Sequence, residues 1–206
     1  MPLPGPELFF NLKAFPHSAV FGRGEPVWKA LEYLPFYLGS MLARVEPYRS
    51  SRPDRLRDVA VRDPHETFIA DSARIGPQVC IEGRVLIEEG VVVEAGAMIV
   101  GPALISRGSH IGHQSYVRRA IFFPGVRVQN GNTVRDSILG WDVELCGCLI
   151  TPHRAPNGNV FARLPHGPYL ETGVSELGLI AGDGCFFGSN VKFHAGDIYM
   201  PRTRLG

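Results

Sequence analysis

Apolar positions recur every six residues over the last two-thirds of the chain. Ile69, Ile75, Ile81, Ile87, Val93, Ile99, Ile105, Ile111 and Val117 are nine consecutive hits, all Ile or Val. A second set sits four residues later: Ala73, Val79, Val85, Val91, Ala97, Ala103, Ser109, Ser115 and Ile121, all small or aliphatic. Alternate side chains of an extended segment share a side. The second set lies two residues before the next member of the first, so both face inward. Between them stand turn formers such as Gly76-Pro77, Glu82-Gly83, Glu89-Gly90, Ala95-Gly96 and Arg107-Gly108. The step continues through Phe123, Val128, Val134, Leu139 and Leu145 with two five-residue slips. It is interrupted over 152–178 and returns at Ala181, Phe187, Phe193 and Tyr199.

A six-residue unit of short strand plus corner predicts an all-β fold, a parallel β-helix. Three units would close one coil, and roughly 18 units would give about six coils in a prism ~25–30 Å tall. Strands of a β-sandwich recur at 8–12 residues with hairpins between them, and a fixed six leaves no room for that. Residues just before the first set should point outward. Leu86, Leu104 and Phe122 would then stack on one outer face, and Cys80, Met98 and Tyr116 on another. Both apolar stripes need cover, one from sister subunits and one from the N-terminal segment. That segment predicts an α-helical appendage starting at Gly24-Glu-Pro26, with Val27, Ala30, Leu31, Leu34, Tyr37, Leu38 and Leu42 at helical spacing. Pro35 is expected to break or kink it. Phe9, Phe10, Phe15 and Phe21 are expected to pack, and 45–64, rich in Pro, Ser and Arg, to form a solvated connector. The division is a helical segment and connector over 1–64, then a β-helix over 65–206 with an inserted loop at 152–178.

Composition narrows the partners. The chain has 206 residues, a net charge of +1, 45% apolar and 20% charged residues, which excludes wholesale disorder. The near-neutral balance argues against a nucleic-acid binder. No apolar run reaches the ~18 residues of a membrane span. The start, Met1-Pro-Leu-Pro-Gly-Pro6, lacks the regions of a signal peptide, so a cytoplasmic location is expected. The four cysteines form no C-x-x-C pair and Cys146-Gly-Cys148 is too tight for a zinc knuckle. All four are expected to be small buried hydrophobes, with no metal site.

The hexapeptide run resembles the left-handed β-helix domain of sugar-phosphate acetyltransferases. It is most similar to the acetyltransferase half of bifunctional sugar-1-phosphate nucleotidylyltransferase/glucosamine-1-phosphate acetyltransferases, which make UDP-N-acetylglucosamine. Val134-Arg-Asp-Ser-Ile-Leu-Gly140 resembles the family's V-G-D-S-x-I-G strand. Thr172 to Asp183 resembles its T-G-x-x-x-L-G-x-I-x-G-D segment, and Gly188-Ser-Asn-Val191 its G-x-N-V. The match covers about residues 67–200. It implies the left hand of the coil, a homotrimer, acetyl-CoA as donor, and a sugar phosphate or nucleotide sugar as acceptor. Residues 1–64 are too few for the nucleotidylyltransferase domain, and Gly22-Arg-Gly24 is not its phosphate loop.

Acetyl transfer needs a base near neutral pH, usually histidine, a donor for the oxyanion, and cationic groups for coenzyme A phosphates. The resemblance places Asn130 where the family has its catalytic His, Thr133 at its tyrosine, and Ser175-Glu176 at its basic pair. Asparagine cannot act as a base. Substitutes are His113, in an Ile111-Gly-His113 run that resembles the I-G-H of a lipid A acyltransferase, His194, and the loop residues His153 and His166. His110 and His113 form an H-x-x-H pair with no evident third metal ligand. Lys192, Arg154, Arg163 and Asn190 are the candidates for coenzyme A. The chain therefore reads as a hexapeptide-repeat acyltransferase. The alternative is a non-catalytic binding or regulatory subunit that partners a separate sugar nucleotidylyltransferase.

Overall fold

A computed structural model describes residues 3–44, 56, 58–156, 158–164 and 167–206. All pairing in its two large sheets is parallel, and the rungs stack into a β-solenoid. Strand Met98–Ile105 rounds a corner: its first half pairs with Cys80–Glu82 on one face and its second half with Val85–Ile87 on the next. Tyr116–Phe122 and Thr133–Leu139 stack below it in the same way. The third face is a seven-stranded sheet from Arg74–Ile75 to Arg204–Leu205, one rung more than the six coils expected. The partners Arg74, Val92 and His110 set an 18-residue coil, and His110, Arg127 and Glu144 a 17-residue one. Glu144 then pairs with Phe186, because 151–178 leaves the prism and carries an antiparallel hairpin, Phe161–Arg163 with Tyr169–Glu171.

The six-residue repeat has one cause, a dry three-walled interior. Ile81, Ile87, Ile99, Ile111, Val117, Val128, Val134, Leu139 and Leu145 are fully buried in one cluster, with Ile69 and Ile75 packed at its open end. One phase expectation is corrected. Phe122 and Ala120 point inward, while Ile121 and Phe123 point outward. The slip falls where the corner loses a residue: Val100 pairs with Arg118, but Ala103 pairs with Ala120.

Outside the second face runs a ladder of Phe68, Leu86, Leu104, Ile121, Ile138, Ile180 and Ile198. It is covered as expected by Phe9, Phe10, Phe15, Phe21 and helix α1 (Lys29–Leu42), and also by Val160, Ala162 and Leu177 of the inserted loop. Phe15 stacks on Phe123 at 3.7 Å. Pro35 does not break α1. A proline inside a helix costs about 3 kcal/mol, and burial of Ala30, Leu31, Leu34 and Leu38 on the ladder outweighs it. Arg84 donates to the Pro35 carbonyl at 2.7 Å. The first-face stripe of Cys80, Met98 and Tyr116 is only half-buried. Of the expected connector, 45–55 and 57 lie outside the described residues, and Ala60–Val61 already pairs with Cys80–Glu82. The cysteine expectation is corrected as well. Cys185 is buried, Cys80 and Cys146 are half-buried, and Cys148 is exposed. Among the described residues no helix is long and apolar enough to cross a membrane.

The N-terminal cover is latched by a half-buried polar chain. His17 Nδ1 meets Tyr37 Oη at 2.7 Å and Nε2 meets Glu88 Oε1 at 2.8 Å. Glu88 Oε2 accepts the Arg107 amide at 2.9 Å. Burial alone would raise the Glu88 carboxyl, but His17 and the Arg107 amide outweigh it and hold it below its ordinary value. A depressed carboxyl stabilises the fold above its unfolded value, and that contribution is lost as pH falls through the folded one. Glu88→Gln should therefore cost about 1–3 kcal/mol at neutral pH, and the gap to the parent should narrow as pH falls below the ordinary carboxylate range. Urea unfolding at a series of pH values measures both.

Candidate active site

The described residues of the N-terminal segment pack on the second face, and the cleft lies at the exit corner of the third. Outward along its ladder stand Arg74, Val92, His110 and Arg127. The corner that follows brings Glu94 and Ala95, then Gly112 and His113, then Gln129 and Asn130, to successive levels. His110 Nε2 lies 2.8 Å from Glu94 Oε1. The His113 amide donates to Glu94 Oε2 at 3.0 Å and to Asn130 Oδ1 at 2.9 Å. A cleft of about 530 Å³ opens here, lined by Arg74, Val92, Glu94, His113 and Asn130 among others.

The sequence allows this approach because residue 112 has no side chain. A Cβ there would lie 2.6 Å from Asn130 Oδ1 and 2.6 Å from the Gln129 carbonyl carbon. The hydrogen bond from His110, helped by the His113 amide, holds Glu94 below the usual carboxylate range. A carboxylate only accepts, so neutral His110 carries its proton on Nε2 and leaves Nδ1 as a lone pair. The His113 imidazole is exposed at the cleft. The cleft thus carries one imidazole, that of His113, and the Glu94 carboxylate, groups of the kind that general acid–base chemistry uses.

The structure divides the expected site residues into separate groups. His113 and Asn130 come together, as just described. His153 and Arg154 lie in a second, ionic cluster where the inserted loop leaves the prism. There Arg154 and Arg118 hold Glu176, at 2.7 Å and 3.0 Å, and Arg119 pairs with the fully buried Asp136. His153 Nε2 is 4.0 Å from Asp136 Oδ2, and burial holds its pKa below the ordinary value. His194 and Arg163 form a third group around Asp197, at 3.6 Å and 3.4 Å. Burial, with the neighbouring Asp197, pushes Tyr199 of that group up to about 12. Lys192 and Asn190 are exposed at the last corner. Asn190, with φ of 71°, continues a left-handed column with Gln78, Gly96, Gln114, Gly131 and Cys148, which is a backbone role. His166 lies outside the described residues. Among the described residues no three His, Cys, Asp or Glu side chains converge as metal ligands.

Sequence reasoning missed Glu94 and Asp197, weighed His110 only as a metal ligand, and met Asp136 and Glu176 only as positions in the family's motifs. Writing the chain in rows of 18 would have set Glu94 directly above Gly112. The loop partners carry no such periodic signal.

The molecule is a hexapeptide β-solenoid. That architecture is consistent with the resemblance to hexapeptide-repeat acetyltransferases. No family model and no curated protein matches the chain. Among solved structures it is similar to the acetyltransferase domain of PglB from Neisseria gonorrhoeae, at 12% identity and TM-score 0.40, over 66% of this chain and 50% of that one. It is also similar to PerB from Caulobacter crescentus in complex with CoA and GDP-perosamine, at 16% identity and TM-score 0.41, over 68% and 51%. A hexapeptide transferase family protein from Anaplasma phagocytophilum aligns at 17% identity and TM-score 0.21, over 55% and 78%. The chain spans about half the length of the first two.

Proposed function

We propose that the chain transfers an acetyl or similar short acyl group from coenzyme A to an amine or hydroxyl of a sugar phosphate or nucleotide sugar. The observation that carries this reading is the placement of His113 in an open cleft, its amide held by both Glu94 and Asn130 and His110 paired to the same Glu94. In this reading His113 takes the proton from the attacking group, and Glu94 keeps the two histidines in register. Arg127, on the rung next to His110, and Arg74, two rungs away on the other side and lining the cleft, suit an anionic acceptor. The half-buried stripe of Cys80, Met98 and Tyr116 supports a homotrimer that closes the cleft with a neighbouring prism. The protein would work in the cytoplasm, and glucosamine-1-phosphate on the route to UDP-N-acetylglucosamine is the first acceptor to try.

Release of coenzyme A thiol from acetyl-CoA, with glucosamine-1-phosphate and amino-sugar nucleotides as acceptors, tests this. His113→Ala keeps both backbone hydrogen bonds, so it should fold normally and lose roughly 10²–10⁴-fold in kcat. A parent protein that neither turns over nor binds coenzyme A by calorimetry contradicts the proposal and favours the non-catalytic binding subunit.

A further inference from the structure

Asn130 has no group that can act as a base, yet its amide is held in one orientation. The backbone N–H of His113 can only donate, so the Asn130 atom facing it at 2.9 Å is the carbonyl oxygen Oδ1. The other end of the amide, the Nδ2 group with two N–H donors, therefore points away from that bond. Asn130 is exposed at the corner and lines the same cleft as the His113 imidazole. Among the described residues no hydrogen bond from Nδ2 to a protein acceptor accompanies the Oδ1 bond. The bare Cα of Gly112 leaves the room in which the amide sits, since any Cβ there would collide with Oδ1. A fixed, unspent donor beside a base in an open cleft has a direct chemical use.

We infer that Asn130 is a catalytic residue, donating Nδ2–H to the oxyanion that forms when the thioester carbonyl is attacked. This rests on the acyltransferase reading above. The acceptor nitrogen or oxygen forms a bond to the thioester carbonyl carbon, and the carbonyl π pair moves onto its oxygen. His113 takes the proton from the attacking atom. The carbonyl re-forms, the C–S bond breaks, and the departing coenzyme A thiolate takes that proton back from the imidazolium. Asn130 neither gains nor loses an atom. It stabilises charge present only between the two bond changes, so its effect belongs to the transition state and not to substrate binding. Residue 130 thus has a role that suits asparagine and that histidine's acid–base chemistry would not supply.

The decisive variant is Asn130→Asp, which keeps the oxygen for the His113 amide and replaces the donor with an acceptor. At the plateau of the pH–rate profile, kcat should fall roughly 10²–10³-fold, with KM for acetyl-CoA within about threefold of the parent. Measuring at the plateau separates donor loss from the higher histidine pKa that an added carboxylate would cause. Asn130→Ala, which removes donor and acceptor at an exposed corner, should show the same plateau loss. Parent-like kcat in Asn130→Asp overturns the inference while leaving the acyltransferase reading standing. A loss expressed only in KM also overturns it. A parent protein without turnover overturns both.

Discussion

Replacing Phe122 by alanine should lower the free energy of unfolding by about 3–5 kcal/mol. Its ring is fully buried inside the prism, in contact with the cluster that runs from Ala73 to Phe193. The rungs above and below, Ile105 and Leu139, are fixed by hydrogen-bonded neighbours and cannot close a ring-sized void. Phe123→Ala should cost a similar amount for a different reason. Phe123 is equally buried, but against Phe10, Phe15, Phe21 and Trp141 outside the second face. Its loss loosens the N-terminal cover and not the prism. Urea unfolding should find both variants destabilised, whereas limited proteolysis should cut residues 3–44 first only in Phe123→Ala. The reverse pattern would return the phase to the one the bare six-residue count suggests.

Asp136→Asn should cost roughly 3 kcal/mol, the scale for breaking a buried ion pair from one side. The carboxylate is fully buried, bonded through Oδ1 to Arg119, with Arg118 3.6 Å from Oδ2. Among the described residues Oδ2 has no hydrogen-bond partner, so its charge faces Arg118 and the more distant His153 across space. Asparagine suits the backbone, since residue 136 holds φ of 50°. What is lost is the charge that Arg119 and Arg118 face, and with it the tie between the prism corner and the inserted loop, which also runs through Glu176. Urea unfolding measures the cost, and faster proteolysis within 151–178 should accompany it. An unchanged midpoint would show that Glu176 alone satisfies both arginines.

The prism was legible because every six-residue side of the coil turns toward one interior, and apolar side chains fill it. Legibility ended where both sides of a strand are apolar. Ala120, Ile121, Phe122 and Phe123 offer no alternation, since one pair fills the prism and the other lies under the N-terminal cover. The count alone could not place the shortened corner at Arg118-Arg119, which only the pairing register shows. Cys148 escaped the burial rule because it occupies a left-handed corner with φ of 63°. Within the site, His113 and Asn130 were legible as chemistry, and their 17-residue separation makes them neighbours on successive coils. His153 was named as a residue of the inserted loop, and His194 as a further histidine that could replace the missing base. Their real neighbours, Asp136 and Asp197, answer to ionic anchoring of the loop, for which sequence spacing holds no signal.

Amide chemical shifts recorded while coenzyme A is titrated into the isotopically labelled protein test the central claim most directly. The account predicts that the largest changes fall on Glu94, Ala95, Gly112, His113 and Asn130, with His113 foremost because its N–H is shared by two side chains at the cleft. Changes confined to the Asp136 or Asp197 clusters, or none at saturating ligand, would contradict it.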